Sequence, residues 1–143
     1  MRADTLARIL GYSGLIPFAV FAFGVSALDD YPGALSQRGF LVYSLAILCF
    51  LAGTLWGSSA QLEPRTRALR LVISNGIVIL AVLAYLVAQP VIVTLLLALA
   101  YLALLWYERR AVLDAPGYLL LRTRLTLAVV ALHLLFLVGL LLR

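Results

Sequence analysis

Residues 91–107 read VIVTLLLALAYLALLWY, with Gln89 and Pro90 before them and Glu108, Arg109 and Arg110 after them. The run contains no charge, and at 17 residues it reaches the lower bound of about 17 to 25 that a helix needs to cross a hydrocarbon core about 30 Å thick. A chain in lipid must satisfy its backbone amides internally, so an apolar run of this length is read as a membrane-spanning helix.

Four further runs carry the same signature: residues 9–28, 39–59, 71–88 and 122–142, rich in Leu, Val, Ala and Ile. The last extends back to 116, because Asp114 is placed to cap a helix with Pro116 in its first turn. Residues 116–142 would then cover about 40 Å at about 1.5 Å per residue, with Tyr118 to Arg124 as an interfacial lead-in. The expected architecture is all-α: a polytopic bundle of five transmembrane helices in a single membrane domain over 1–143. The connections hold turn formers and charges that lipid rejects: Asp29 to Gly33, then Glu63, Pro64, Arg65, Arg67 and Arg70, then Gln89 and Pro90, then Glu108 to Gly117.

Composition supports this reading. Of 143 residues, 65% are hydrophobic and 12% charged, where soluble domains are about 45–50% apolar and about 25% charged. The net charge of +5 comes from eleven arginines, with no lysine, against six acids. Nine of those arginines, Arg2, Arg8, Arg65, Arg67, Arg70, Arg109, Arg110, Arg122 and Arg124, fall on one side of the bilayer in a five-span topology, and Arg38 and Arg143 on the other. The positive-inside rule places the rich side, and with it the amino terminus, in the cytoplasm and the carboxyl terminus outside. Arginines at the ends of apolar segments set topology; no interleaved basic and aromatic surface suggests a nucleic-acid partner. Arg2 and Arg8 ahead of an apolar stretch ending in Val25, Ser26 and Ala27 imitate a signal peptide, yet the stretch is long enough to span and is expected to be retained.

Few side chains suggest chemistry. His133 is the one histidine and falls near the bilayer midplane. Arg122, Thr126 and His133 share a helical face, and intramembrane polar groups usually turn inward. The plainer reading of His133 is a neutral ring bonded to Asn75, Tyr43 or Ser44, and that of Arg122 and Arg124 is snorkelling to headgroups. Asn75, between Ser74 and Gly76, suits a helix-pairing bond or a polar pocket. Trp56, Trp106, Tyr107 and Tyr12 suit interfacial anchoring, or the wall of a headgroup site. Gly53 and Gly57, extended by Ala46 and Cys49, form a small-xxx-small stripe, expected to pack inside the chain rather than to form a homodimer seam. A lone cysteine forms no internal disulfide. No catalytic triad, paired intramembrane carboxylates, phosphate loop or metal spacing is present, so no enzyme, metal or cofactor is expected.

Three motifs carry a resemblance. Leu10 to Phe18, which includes Gly14-Leu15-Ile16-Pro17-Phe18, then Tyr43 with Phe50 to Gly57, then Ala115 to Thr126 with its Leu121-Arg122-x-Arg124 core, resemble an uncharacterised bacterial membrane family, domain of unknown function 3429, with transmembrane protein 69 as a mitochondrial relative. Gly117 departs from the pattern where a second aromatic is expected. The resemblance implies about five helices and an inner-membrane location, and no activity.

The expected function is therefore a non-enzymatic, multi-pass protein of the bacterial inner membrane: an accessory or scaffold protein, or a lipid-binding subunit docked on a larger complex. The rival is a small oligomeric transporter or channel that uses the Arg122, Thr126 and His133 stripe. A third reading is the quinone- or lipid-binding subunit of a membrane enzyme.

Overall fold

The computed structural model describes residues 3–111 and 115–142. Arg2, Asp114 and Arg143 lie outside those residues, and so does the expected Asp114 cap. The described chain runs α1 (Ala3–Ser13), α2 (Leu15–Ala27), α3 (Asp30–Gly57), α4 (Pro64–Val87), α5 (Pro90–Ala111) and α6 (Pro116–Leu141). With α1 and α2 counted as one crossing, five helices are long and apolar enough to span a membrane.

The first crossing is broken at Gly14. Pro17 has no N–H, and its ring crowds the carbonyl four residues earlier, that of Ser13, so a straight helix cannot continue through this point. One residue on, the Gly14 carbonyl is bonded from another helix: the Tyr43 hydroxyl on α3 donates to it at 3.0 Å. Two of the sequence motifs are thus halves of one device, a proline break and the phenol that ties it down.

Punctuation sets the other ends. Between α2 and α3 the chain turns at Asp29 and Asp30, the latter in the left-handed region at φ 51°, which Asp tolerates better than most residues. Pro32 and Gly33, expected in the loop, instead lie in the first turn of α3, where a proline without an N–H loses nothing. Glu63 caps α4 by accepting from the Arg65 and Thr66 amides at 3.3 and 3.2 Å, with Pro64 opening the helix. Those amides, Arg65 first, hold its carboxyl below the usual range. Ala88 is extended, and Pro90 begins α5 after the tightest connection.

Helix α2 packs on α3 and α6, α6 on α5, and α3 on α4 and α5. Close approach is set by glycine: a Cβ on Gly24 would collide with Ser36, one on Gly39 would meet the Phe21 ring at 2.6 Å, and one on Gly139 would collide with Ser26. Between helices already in lipid, such van der Waals fit replaces the hydrophobic effect as the packing force. The centre holds Phe18, Phe40 and Phe136, the last two stacked at 3.9 Å, while leucines and valines such as Val72, Leu86 and Val87 cover the exterior.

The small-residue stripe faces the other way. Nothing lies within 4 Å of a Cβ built on Gly53 or Gly57, Ala46 is exposed and Cys49 half-buried. The expectation that these four pack inside the chain is corrected: the inward face of α3 is Phe40, Ser44, Leu48, Ala52 and Leu55, which leaves the stripe on the outer side.

Candidate functional site

The buried faces of α5 and α6 each read as a helical stripe. On α5 it is Val93, Leu97, Tyr101, Leu104 and Glu108, and on α6 it is Arg122, Thr126, Val129, His133 and Phe136. The stripes meet at the end where α5 finishes and α6 begins, and there Glu108 and Arg122 form an ion pair, Nε to Oε2 at 2.8 Å. Glu108 is 1% exposed and Arg122 5%. Arg122 therefore does not snorkel, and Glu108 is not a loop residue. Helix α5 runs on to Ala111, and each charge is tolerable in the interior because the other faces it. Arg124, two positions on, is exposed, as snorkelling requires.

The pair is incompletely satisfied. The Arg122 Nε–H is turned off the line to the carboxylate, so the attraction is Coulombic rather than a well-aligned hydrogen bond. Nη1 donates to Thr126 Oγ1 at 2.9 Å, and Nη2 has no partner among the described residues. A second guanidinium adds to the imbalance. Arg70, 4% exposed on α4, bonds Ser58 Oγ at 3.2 Å and lies within Coulombic reach of Glu108. Among the described residues, two buried cations thus share one buried anion.

Beside Arg122 runs a cleft of about 430 Å³, within the range of small-ligand sites. Its walls come from α1 (Ala7, Leu10, Gly11), α2 (Leu15, Phe18), α3 (Ile47, Phe50, Leu51, Thr54), α5 (Tyr101) and α6 (Tyr118, Leu121, Arg122, Leu125, Thr126, Val129), with Gly14 at the break between α1 and α2. Most of the lining is hydrocarbon. The hydroxyls and the charge of Thr54, Tyr118, Arg122 and Thr126 gather toward one end. Helix α1 buries none of its own residues yet forms one side of the cleft.

A family model described as "Protein of unknown function (DUF3429)" matches residues 3–138, nearly the whole chain. The chain belongs to the DUF3429 family. No curated protein and no solved structure matches it.

Of the site residues expected from sequence, this DUF3429 chain brings some together and separates others. Arg122 and Thr126 line the cleft. His133, 0% exposed, lies beyond Val129: its Nε2 is 2.8 Å from Ser44 Oγ and its Nδ1 2.8 Å from the Val129 carbonyl. Of the three partners named for it, the structure gives Ser44. Phe18, Phe40 and Tyr101 surround the ring, and Tyr101 also donates to the Ser44 carbonyl at 2.7 Å. Tyr43 is spent on Gly14. Asn75 is corrected: it is exposed, and its amide donates at 2.8 Å to Leu71 on its own helix, which satisfies it without a neighbour. For Trp56 only the ligand-facing alternative is corrected; at 55% exposure it faces outward, as an anchoring ring does, like Trp106, over which Arg110 stacks at 4.1 Å.

Sequence reasoning missed Glu108, Arg70, Tyr101 and Ser74, whose hydroxyl bonds the Ala52 carbonyl at 2.7 Å. A signal was present. Glu108 continues the 97–101–104 spacing of α5, and Arg70 and Ser74 precede Ala81 on the buried side of α4.

Proposed function

We propose that this chain is a non-enzymatic protein of the bacterial inner membrane, its arginine-rich end in the cytoplasm, that binds a lipid in the cleft beside Arg122. It serves as an accessory or lipid-binding component of a membrane assembly. The observation that carries this reading is the cleft itself: an elongated, hydrocarbon-lined space among four of the spanning helices, with its polar groups at one end, has the amphipathic layout of a lipid.

The layout suits binding better than conduction. Between Thr126 and His133 the stripe is interrupted by Val129, and the imidazole has both nitrogens engaged within an aromatic enclosure. A proton or ion path along α6 has no continuous line of groups to follow.

The test is photolabelling in vesicles with a lipid that carries a diazirine on its acyl chain. Peptide mapping should place crosslinks on Leu121 and Leu125, and Leu125→Trp, which fills the cleft, should abolish them. Leu127→Trp on the exposed face should not. Labelling spread evenly over outward residues such as Leu86 and Val87, and unchanged by Leu125→Trp, defeats the proposal.

A further inference from the structure

We infer that the cleft selects lipids with an anionic headgroup, phosphate or carboxylate in chemistry, and that Arg122 is the residue that reads the charge. The inference rests on the lipid-binding reading and adds the chemical class of the ligand.

Three observations converge on it. The first is an unfilled valence: Arg122, 5% exposed and part of the cleft wall, has Nη2 without a partner among the described residues. A buried guanidinium N–H left unpaired is costly, and an oxyanion is its natural acceptor, because the planar fork of arginine matches carboxylate and phosphate. The second is charge balance. Among the described residues, Arg122 and Arg70 stand against Glu108 alone, so these buried groups carry a net positive charge in a medium where an added anion is strongly favoured and an added cation excluded. The third is position. Arg122 lies six residues into α6, about 9 Å along the axis at about 1.5 Å per residue, level with the start of a lipid's chain rather than at the midplane. Tyr118 lines the same end and has a hydroxyl to offer a further headgroup oxygen, whereas Thr54 already donates its proton to the Leu51 carbonyl at 2.7 Å. A headgroup there would receive charge-assisted bonds while its acyl chain runs toward Gly14 and Phe18.

Glu108 has a defined part in this arrangement. It holds the guanidinium at the cleft wall through Nε while Thr126 takes Nη1, which leaves Nη2 for the ligand among the described residues. It is a positioning residue and needs no contact with the lipid.

The experiment is competition against the photolabel by amphiphiles that share a hexadecyl chain and differ in headgroup: phosphate, maltoside and trimethylammonium. With the wild-type protein, hexadecyl phosphate should protect the cleft at about tenfold lower mole fraction than the neutral or cationic competitor, a difference of about 1.4 kcal/mol. Inorganic phosphate alone should not protect. Removing Arg122 by itself takes from Glu108 its direct ion-pair partner, so the informative variant is Arg122→Gln with Glu108→Gln, which removes the reader and its partner together and leaves Arg70, bonded to Ser58 and not part of the cleft wall, in place. It should still be labelled in the cleft by the chain, and the preference for phosphate should vanish. Equal protection by all three headgroups in the wild type overturns the inference and leaves lipid binding standing, whereas absence of cleft labelling removes both. Retention of the phosphate preference in the double variant shows that Arg122 is not the reader and overturns the assignment. Protection by inorganic phosphate as strong as by hexadecyl phosphate overturns the claim that the ligand is a lipid.

Discussion

At the scale of single residues, the chain spends its few polar groups in two ways that the same letters conceal. Arg124 and Arg122 are two positions apart, yet one reaches out to the boundary and the other is enclosed against Glu108. Breaking one half of an enclosed pair is expensive. Arg122→Ala should lower stability by roughly 3–5 kcal/mol because it takes the direct partner from a buried carboxylate and leaves Arg70 only at Coulombic range. The combined Arg122→Gln and Glu108→Gln change should cost clearly less. Thermal unfolding in detergent, followed by near-ultraviolet circular dichroism, compares them; equal losses would mean that the pair does not act as a unit. The sequence exposed the arginines but not their fates, since position at the end of an apolar run is shared by a snorkelling charge and a paired one. What separates them is whether the residue falls in phase with the buried stripe, as Glu108 does with Tyr101 and Leu104. His133 was easier to read: an imidazole deep in lipid must find a partner, although only packing decides that it is Ser44 and not Asn75.

At the scale of elements, breaks and close approaches were legible where a residue type forces them and obscure where only a facing matters. Pro17 announces a discontinuity, and Gln89 with Pro90 a hairpin, because no other neighbours change the backbone constraint. The Gly53 and Gly57 pattern announces only that the backbone leaves room for close approach; whether anything fills it depends on rotation about the α3 axis, which spacing does not encode. Gly53→Val and Gly57→Val should therefore leave monomer stability within about 0.5 kcal/mol. Gly39→Val, driven into the Phe21 ring, should cost about 1–3 kcal/mol. Denaturation of the three variants side by side gives the answer, and a loss at Gly53 equal to that at Gly39 would reverse the assigned facing. The α1–α2 break makes a local prediction. Tyr43→Phe removes the bond to the Gly14 carbonyl and should cost about 0.5–1.5 kcal/mol. Hydrogen exchange should accelerate around residues 11–18, with the α5 amides unaffected. At the start of α4, the Glu63 cap has its carboxyl held below its ordinary range by the two amides it accepts from. Its contribution is therefore present above the ordinary carboxylate pKa and lost as pH falls through the lowered value. Protection of the Arg65 and Thr66 amides from exchange, corrected for the intrinsic pH dependence of exchange, should fall on acidification in the wild type and be low at all pH values in Glu63→Ala.

At the scale of the whole molecule, the apolar excess that fixed the class of fold also limits what the chain can be: an outward skin of leucine and valine with the charges concentrated toward one end. Five crossings require that the α3–α4 and α5–α6 connections share a side and that the α4–α5 hairpin lies opposite. In a Cys49→Ala background, single cysteines at Gln61 and Ala115 should react with an impermeant maleimide only after the inner side is opened, and one at Gln89 before. Reaction of Gln61 and Ala115 from opposite sides would dismantle the topology. The cleft was the least legible feature, because it is a property of how α1, α2, α3 and α6 come together, and no local pattern in any of them records an empty space. The central claim, a membrane bundle built around a lipid held beside the Glu108–Arg122 pair, is tested most directly by native mass spectrometry of the protein released from its own membrane in mild detergent. A single anionic lipid retained on the wild type and lost from Leu125→Trp is the expected result; a bare chain in both, at every collision energy that preserves the fold, would contradict it.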